Sequence, residues 1–133
     1  MTISITNSDE LQFRTLPGRA SADPFESREG MNEINLSVRV VKVYSDPERS
    51  AHVHPNSAEA VYVAAGNGTL WAEGVGFEIQ RGDTFLVPAG TKHATLPDPG
   101  SEMTLICFFP HPDLSKNIVE MVGRIAPDSP SNL

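Results

Sequence analysis

Between Ser50 and His93 the chain gathers three of its four histidines and one acidic residue on short apolar segments broken by turns, and this arrangement restricts the fold more than any other feature. The first constellation is His52-Val-His54-Pro-Asn-Ser-Ala-Glu59, followed by Ala-Val-Tyr-Val-Ala-Ala-Gly66. The second is Gly82-Asp-Thr-Phe-Leu-Val-Pro88-Ala-Gly90-Thr-Lys-His93. On an extended strand alternate side chains share a face, so His52 and His54 project together. Pro55-Asn56-Ser57 is turn chemistry, which lets the chain reverse and carry Glu59 back beside the histidines. Gly82-Asp83 and Pro88-Ala89-Gly90 bracket the apolar run 84–87, and the second of these turns can return His93 to the same place.

Neutral imidazole nitrogens with one carboxylate oxygen suit Fe, Mn, Co, Ni, Cu or Zn, whereas Ca or Mg sites are built from oxygen alone. Four protein ligands on an ion that prefers six leave positions for water, substrate or dioxygen. Glu59 opens an almost wholly apolar run to Ala65, expected to be buried on both faces. A carboxylate there demands a partner, since an unpaired buried charge costs several kcal/mol or neutralises itself. A lone histidine on a strand is more often a surface or core residue than a ligand. Three with a glutamate in one stretch are harder to dismiss.

The same residues resemble a known family. His52-x-His54, Glu59 and Gly66 are similar to the first cupin motif, and Gly82, Pro88-x-Gly90 and His93 to most of the second. Two departures touch no ligand position: Ala94 stands where an asparagine often follows the last histidine, and no glycine opens the first motif. The resemblance implies an all-β fold, a jelly-roll barrel of the cupin double-stranded β-helix type. It implies metal ligation by His52, His54, Glu59 and His93, binding of one divalent transition metal, and a homodimer with the N-terminal arm as the contact. It also implies either an enzyme acting on a small polar metabolite, as a dioxygenase, isomerase, cyclase or dehydratase, or a cupin that binds or senses a small molecule without turnover.

At 133 residues and 39% hydrophobic content, one globular domain is expected. Residues 1–33 read as an N-terminal arm with one short strand, 34–112 as the barrel, and 113–133 as a short helix and a loose tail. The net charge of −7 and the absence of a Lys/Arg run argue against nucleic acid as a partner. A single cysteine forms no internal disulfide and suits a reducing cytoplasm. No stretch is apolar for long enough to span a membrane, and the N-terminus lacks the features of a signal peptide. Gly-x-Ser-x-Gly and phosphate-cradling glycine loops are missing, so any chemistry is expected to run through the metal.

Three further residues are candidates for the pocket. Arg39 lies on the strand Ile34–Tyr44, either facing the cavity to pair with an anionic substrate or facing solvent, the preferred reading. Tyr62 is either core packing, which is preferred, or a pocket hydroxyl. His111 falls on the Cys107 face of the closing strand 102–110, where Met103, Leu105, Cys107 and Phe109 point inward. It either hangs over the metal as a proton shuttle or lies on the surface, again the preferred reading. Gly66-Asn67-Gly68 reads as a hairpin turn, and Leu114, Ile118, Met121 and Val122 fall at helical spacing with Asp113 as N-cap and Gly123 as stop.

Overall fold

In the computed structural model, residues 3–26, 30 and 33–125 are described, and they form two antiparallel sheets. The strands are β1 (Arg14–Leu16), β2 (Arg19–Ala22), β3 (Ser37–Tyr44), β4 (Ser50–Val53), β5 (Glu59–Ala65), β6 (Asn67–Ala72), β7 (Val75–Gln80), β8 (Thr84–Val87), β9 (His93–Pro97), β10 (Glu102–Phe109) and β11 (Val119–Arg124). One sheet runs β1-β2-β3-β10-β5-β8 and the other β11-β4-β9-β6-β7. This is the expected jelly-roll barrel.

The core lies between the sheets. Met103, Leu105, Cys107 and Phe109 alternate inward along β10, as expected, and meet Val41 and Val43 of β3 and Val61 and Val63 of β5. Leu70 of β6 and Ile79 of β7 close it from the opposite sheet. The inward face of β3 is therefore the one that carries Ser37, Arg39, Val41 and Val43. Expecting β5 to be buried on both faces was wrong: it alternates, with Glu59, Val61 and Val63 inside and Tyr62 41% exposed on the outer face.

Three of the crossings from one sheet to the other fall within the two motifs. Residues 54–58 lead from β4 to β5, residue 66 from β5 to β6, and residues 88–92 from β8 to β9. The expected hairpin at Gly66-Asn67-Gly68 is one of these crossings, because β5 and β6 belong to different sheets. Gly66 sits at φ 85° against the β10 backbone, where a Cβ would lie 2.3 Å from the Glu102 carbonyl oxygen. A side chain has no room there. The true hairpin turn is Glu73-Gly74 between β6 and β7, with both residues at positive φ.

Both ends of the chain add strands. The arm contributes β1 and β2, and β2 pairs with β3 to extend the larger sheet. The helix expected beyond Asp113 shrinks to a 3-10 turn, Leu114–Lys116, which Asp113 does cap by accepting from the Ser115 N–H. Beyond it the chain becomes β11 and pairs with β4, Glu120 opposite His52. Helical spacing misled because Ile118, Val119 and Val122 are β-branched, and the open side of β4 offers hydrogen bonds that a short isolated helix does not match. The tail expected at 126–133 lies outside the described residues. Among the described residues no helix is long and apolar enough to cross a membrane.

Candidate metal centre

The sheet crossings build the site. His52 on β4 is directly opposite His93, the first residue of β9. His54 follows just after β4 ends, and Glu59 starts β5 on the facing sheet. One donor atom from each of the four lies within 4.8 Å of the others, and all four residues are buried. The rings of His52 and His93 lie 4.5 Å apart, and the edge of His54 packs on Phe109 at 4.6 Å.

Hydrogen bonds from outside the cluster orient two of the rings. His54 Nδ1 is 2.9 Å from the Asn117 carbonyl oxygen, and His93 Nδ1 is 2.9 Å from that of Thr91. A carbonyl only accepts, so each Nδ1 carries a proton, and without a second proton each ring turns an Nε2 lone pair inward. Those lone pairs face Glu59 Oε1 at 3.5 Å from His54 and 3.0 Å from His93. Lone pairs on both sides of such contacts need a cation or a proton between them. His54 Nε2 and His52 Nδ1 are moreover buried without a hydrogen-bond partner. Buried polar atoms are rarely left so, and a borderline-soft divalent ion matches this nitrogen and oxygen set. The residues fit a metal.

The electrostatics keep the donors ready. Burial, then the charge of His93, pushes His52 well below its ordinary value, so its ring is neutral. Burial alone would raise Glu59, but with protons rather than a metal ion on the facing nitrogens, its contacts with His54 and His93 and the charge those rings then carry hold it well below the usual carboxylate range. Burial, with the charge of Glu59 and a hydrogen bond to it, pushes the Cys107 thiol well up. It remains protonated beside the carboxylate.

A cavity of about 70 Å³ opens beside the cluster, lined by His52, Glu59 and His93 together with Arg19, Arg39 and Arg49. Preferring the surface for Arg39 was therefore wrong; its side chain is held by Asp23 at 3.2 Å. Tyr62 is in neither the core nor the pocket. His111 is not brought to the cluster: its Nδ1 accepts from the Asp113 N–H at 3.1 Å and its carbonyl from the Ser37 hydroxyl at 2.5 Å.

Three residues escaped the sequence reading. Asn117, fully buried, accepts from the Asn56 N–H and donates to the Ser57 hydroxyl, both at 2.7 Å, locking the turn between His54 and Glu59. Nothing local in the sequence marks it. Arg19 shares a face of β2 with Ser21, and treating 19–22 as a strand would have placed both on the cavity side. Arg49 closes the turn that starts at Asp46 and is only 3% exposed.

A family model described as a cupin domain matches residues 40–109. No curated protein matches the chain. Among solved structures, a variant of Streptomyces Pac13 with uridine aligns at TM-score 0.71 and 15% identity over 96% of this chain and 95% of that one, and Pac13 is described as a nucleoside dehydratase. The polyketide cyclase RemF from Streptomyces resistomycificus aligns at TM-score 0.71 and 15% identity over 97% and 89%. KdgF from Halomonas sp. aligns at TM-score 0.64 and 21% identity over 81% and 95%.

Proposed function

Because the chain belongs to the cupin family, we propose that it is a metal-dependent enzyme acting on a small polar metabolite. His52, His54, Glu59 and His93 are its ligands to one divalent transition metal. The observation that carries this reading is the pair of buried, unpartnered imidazole nitrogens beside a buried carboxylate. When bound, the ion supplies Lewis acidity, a water of lowered pKa, or a place to hold substrate and dioxygen together.

The chain's own residues contribute orientation and dryness. Carbonyls of Asn117 and Thr91 fix the tautomers of His54 and His93. Phe109, Leu105 and Val61 wall the cavity, which strengthens every electrostatic contact inside it. Proteins of this fold perform unrelated reactions; dioxygenation, isomerisation and cyclisation or dehydration are all compatible with the donor set. A reducing compartment such as the cytoplasm suits the lone buried thiol of Cys107.

The test combines metal analysis of protein purified without chelator with a metabolite screen read by mass spectrometry, run with and without oxygen. Close to one metal per chain together with a metal-dependent product is the expected result. Ligand-dependent thermal stabilisation with no product from any candidate would replace the enzyme by a binding protein. Metal-free protein with full thermal stability would remove the metal centre itself.

A further inference from the structure

Three arginines line the cavity, and the one carboxylate among its lining residues, Glu59, belongs to the metal cluster. Arg19 is committed to Glu120 and to the Pro17 carbonyl. Arg39 is paired with Asp23 through Nη1, which also donates to the Val38 carbonyl at 2.9 Å. Arg49 differs from both: its Nε donates to the Thr95 carbonyl at 3.1 Å and its Nη1 to the Pro17 carbonyl at 2.9 Å, and both of these acceptors are neutral. Among the described residues no carboxylate lies within salt-bridge distance of it, and Glu120 and Asp46 act on it only from farther away. Burial, then the charge of Arg19, lowers this guanidinium to about 10 against the opposing pull of those two carboxylates, so it is still charged at neutral pH.

A buried charge without a counter-ion is costly, and a divalent ion held by one carboxylate would add a further net positive charge to the same cavity. The arrangement is wasteful for a neutral ligand and apt for an anion, because guanidinium groups match the planar geometry of oxyanions. Size narrows the choice. A space of about 70 Å³ has room for roughly five water molecules, so the enclosed part of the ligand is small.

We propose that the substrate is a small oxyanion, a carboxylate or a phosphate, whose charged end is received by Arg49 and Arg39 beside the metal cluster while Arg19, fixed by Glu120, adds to the positive field. This deepens the function proposed above and uses the same cavity, but the arginines act whether or not the metal is present.

Calorimetric titration and thermal unfolding at constant ionic strength test it, with glycolate, its size-matched neutral amide glycolamide, and inorganic phosphate as probes. Each probe is applied to chelator-treated and to metal-loaded protein. Glycolate or phosphate should bind and raise the melting temperature in both forms, and glycolamide should do neither. Glycolate alone identifies a carboxylate site, and phosphate alone a phosphate site. Arg49→Gln should weaken binding by about tenfold or more and Arg39→Gln by less, with Arg49→Lys retaining part of the affinity. If Arg49→Gln does not fold, the comparison rests on Arg39→Gln and Arg49→Lys, both of which must then bind more weakly than the wild type. Anions that do no better than glycolamide, or arginine variants with unchanged affinity, overturn the proposal. Binding confined to metal-loaded protein and indifferent to the arginines also overturns it, while leaving the metal enzyme intact. Loss of the metal centre with anion binding preserved would do the reverse.

Discussion

His54 is aimed by a residue sixty-three positions further along: its Nδ1 donates to the backbone carbonyl of Asn117 at 2.9 Å. The Asn117 side chain holds that carbonyl in place through Asn56 and Ser57. Asn117→Ala leaves the carbonyl but takes the partner from the buried Ser57 hydroxyl and from the Asn56 N–H, and opens a small void. A loss of about 2–4 kcal/mol is expected, with metal affinity down by about ten- to a hundredfold as His54 loses its orientation. Denaturant titration and competition with a chromophoric chelator measure the two effects separately. Reduced stability with unchanged metal affinity would make Asn117 a packing residue only.

Acid should destabilise chelator-treated protein in two stages. The unfolded chain protonates His52 near 6.5, whereas the folded protein, where burial and His93 push that value well down, does not. The unfolded state then binds more protons, so stability falls as pH drops below about 6.5. Glu59 is also depressed in the fold, and its unfolded reference is 4.5, so a second loss begins near there and continues as pH falls toward its folded value. Melting temperatures recorded from about pH 8 to 4 should decline in that order. A profile flat to about pH 5 would mean that folded His52 accepts protons as readily as the unfolded chain.

Gly66 closes the first motif for a steric reason. At φ 85°, with the Glu102 carbonyl 2.3 Å from where a Cβ would sit, Gly66→Ala combines backbone strain with a clash against main chain that cannot rotate away. We expect a loss of about 3 kcal/mol or more, read by chemical denaturation. Gly74→Ala, also at positive φ but with open space around it, should lose only about 1–2 kcal/mol. Equal losses at the two sites would show that conformation alone, without the close approach to β10, explains the glycine.

What could be read from the chain was what depends on neighbours in sequence. Alternation placed Met103, Leu105, Cys107 and Phe109 inside, and the histidine spacing with its turns brought His52, His54, Glu59 and His93 together. What could not be read depends on partners far away. Arg39 faces inward because Val41 and Val43, not Val38 and Val40, meet β5 and β10 in the core; with valines on both faces of β3, period two could not choose. Val119–Arg124 became a strand because β4 lacked a neighbour on that side, which no window around residue 119 reveals. Arg49 is buried by carbonyls at Pro17 and Thr95 on either side of it in sequence.

The four histidines give a clean separation between ligand and bystander. His93 faces Glu59 at 3.0 Å within the cluster, while His111 spends its Nδ1 on the Asp113 N–H, outside the cavity lining. His93→Ala should therefore cut metal content sharply from about one ion per chain. His111→Ala should leave it unchanged and cost about 1 kcal/mol for the lost turn contact. Tyr62→Phe, on the exposed face of β5, should alter neither metal content nor stability by more than about 0.5 kcal/mol. Elemental analysis of the three variants beside the wild type decides the matter. Metal loss in His111→Ala would return that ring to the site as a group acting on the ion, and full occupancy in His93→Ala would dissolve the ligand set.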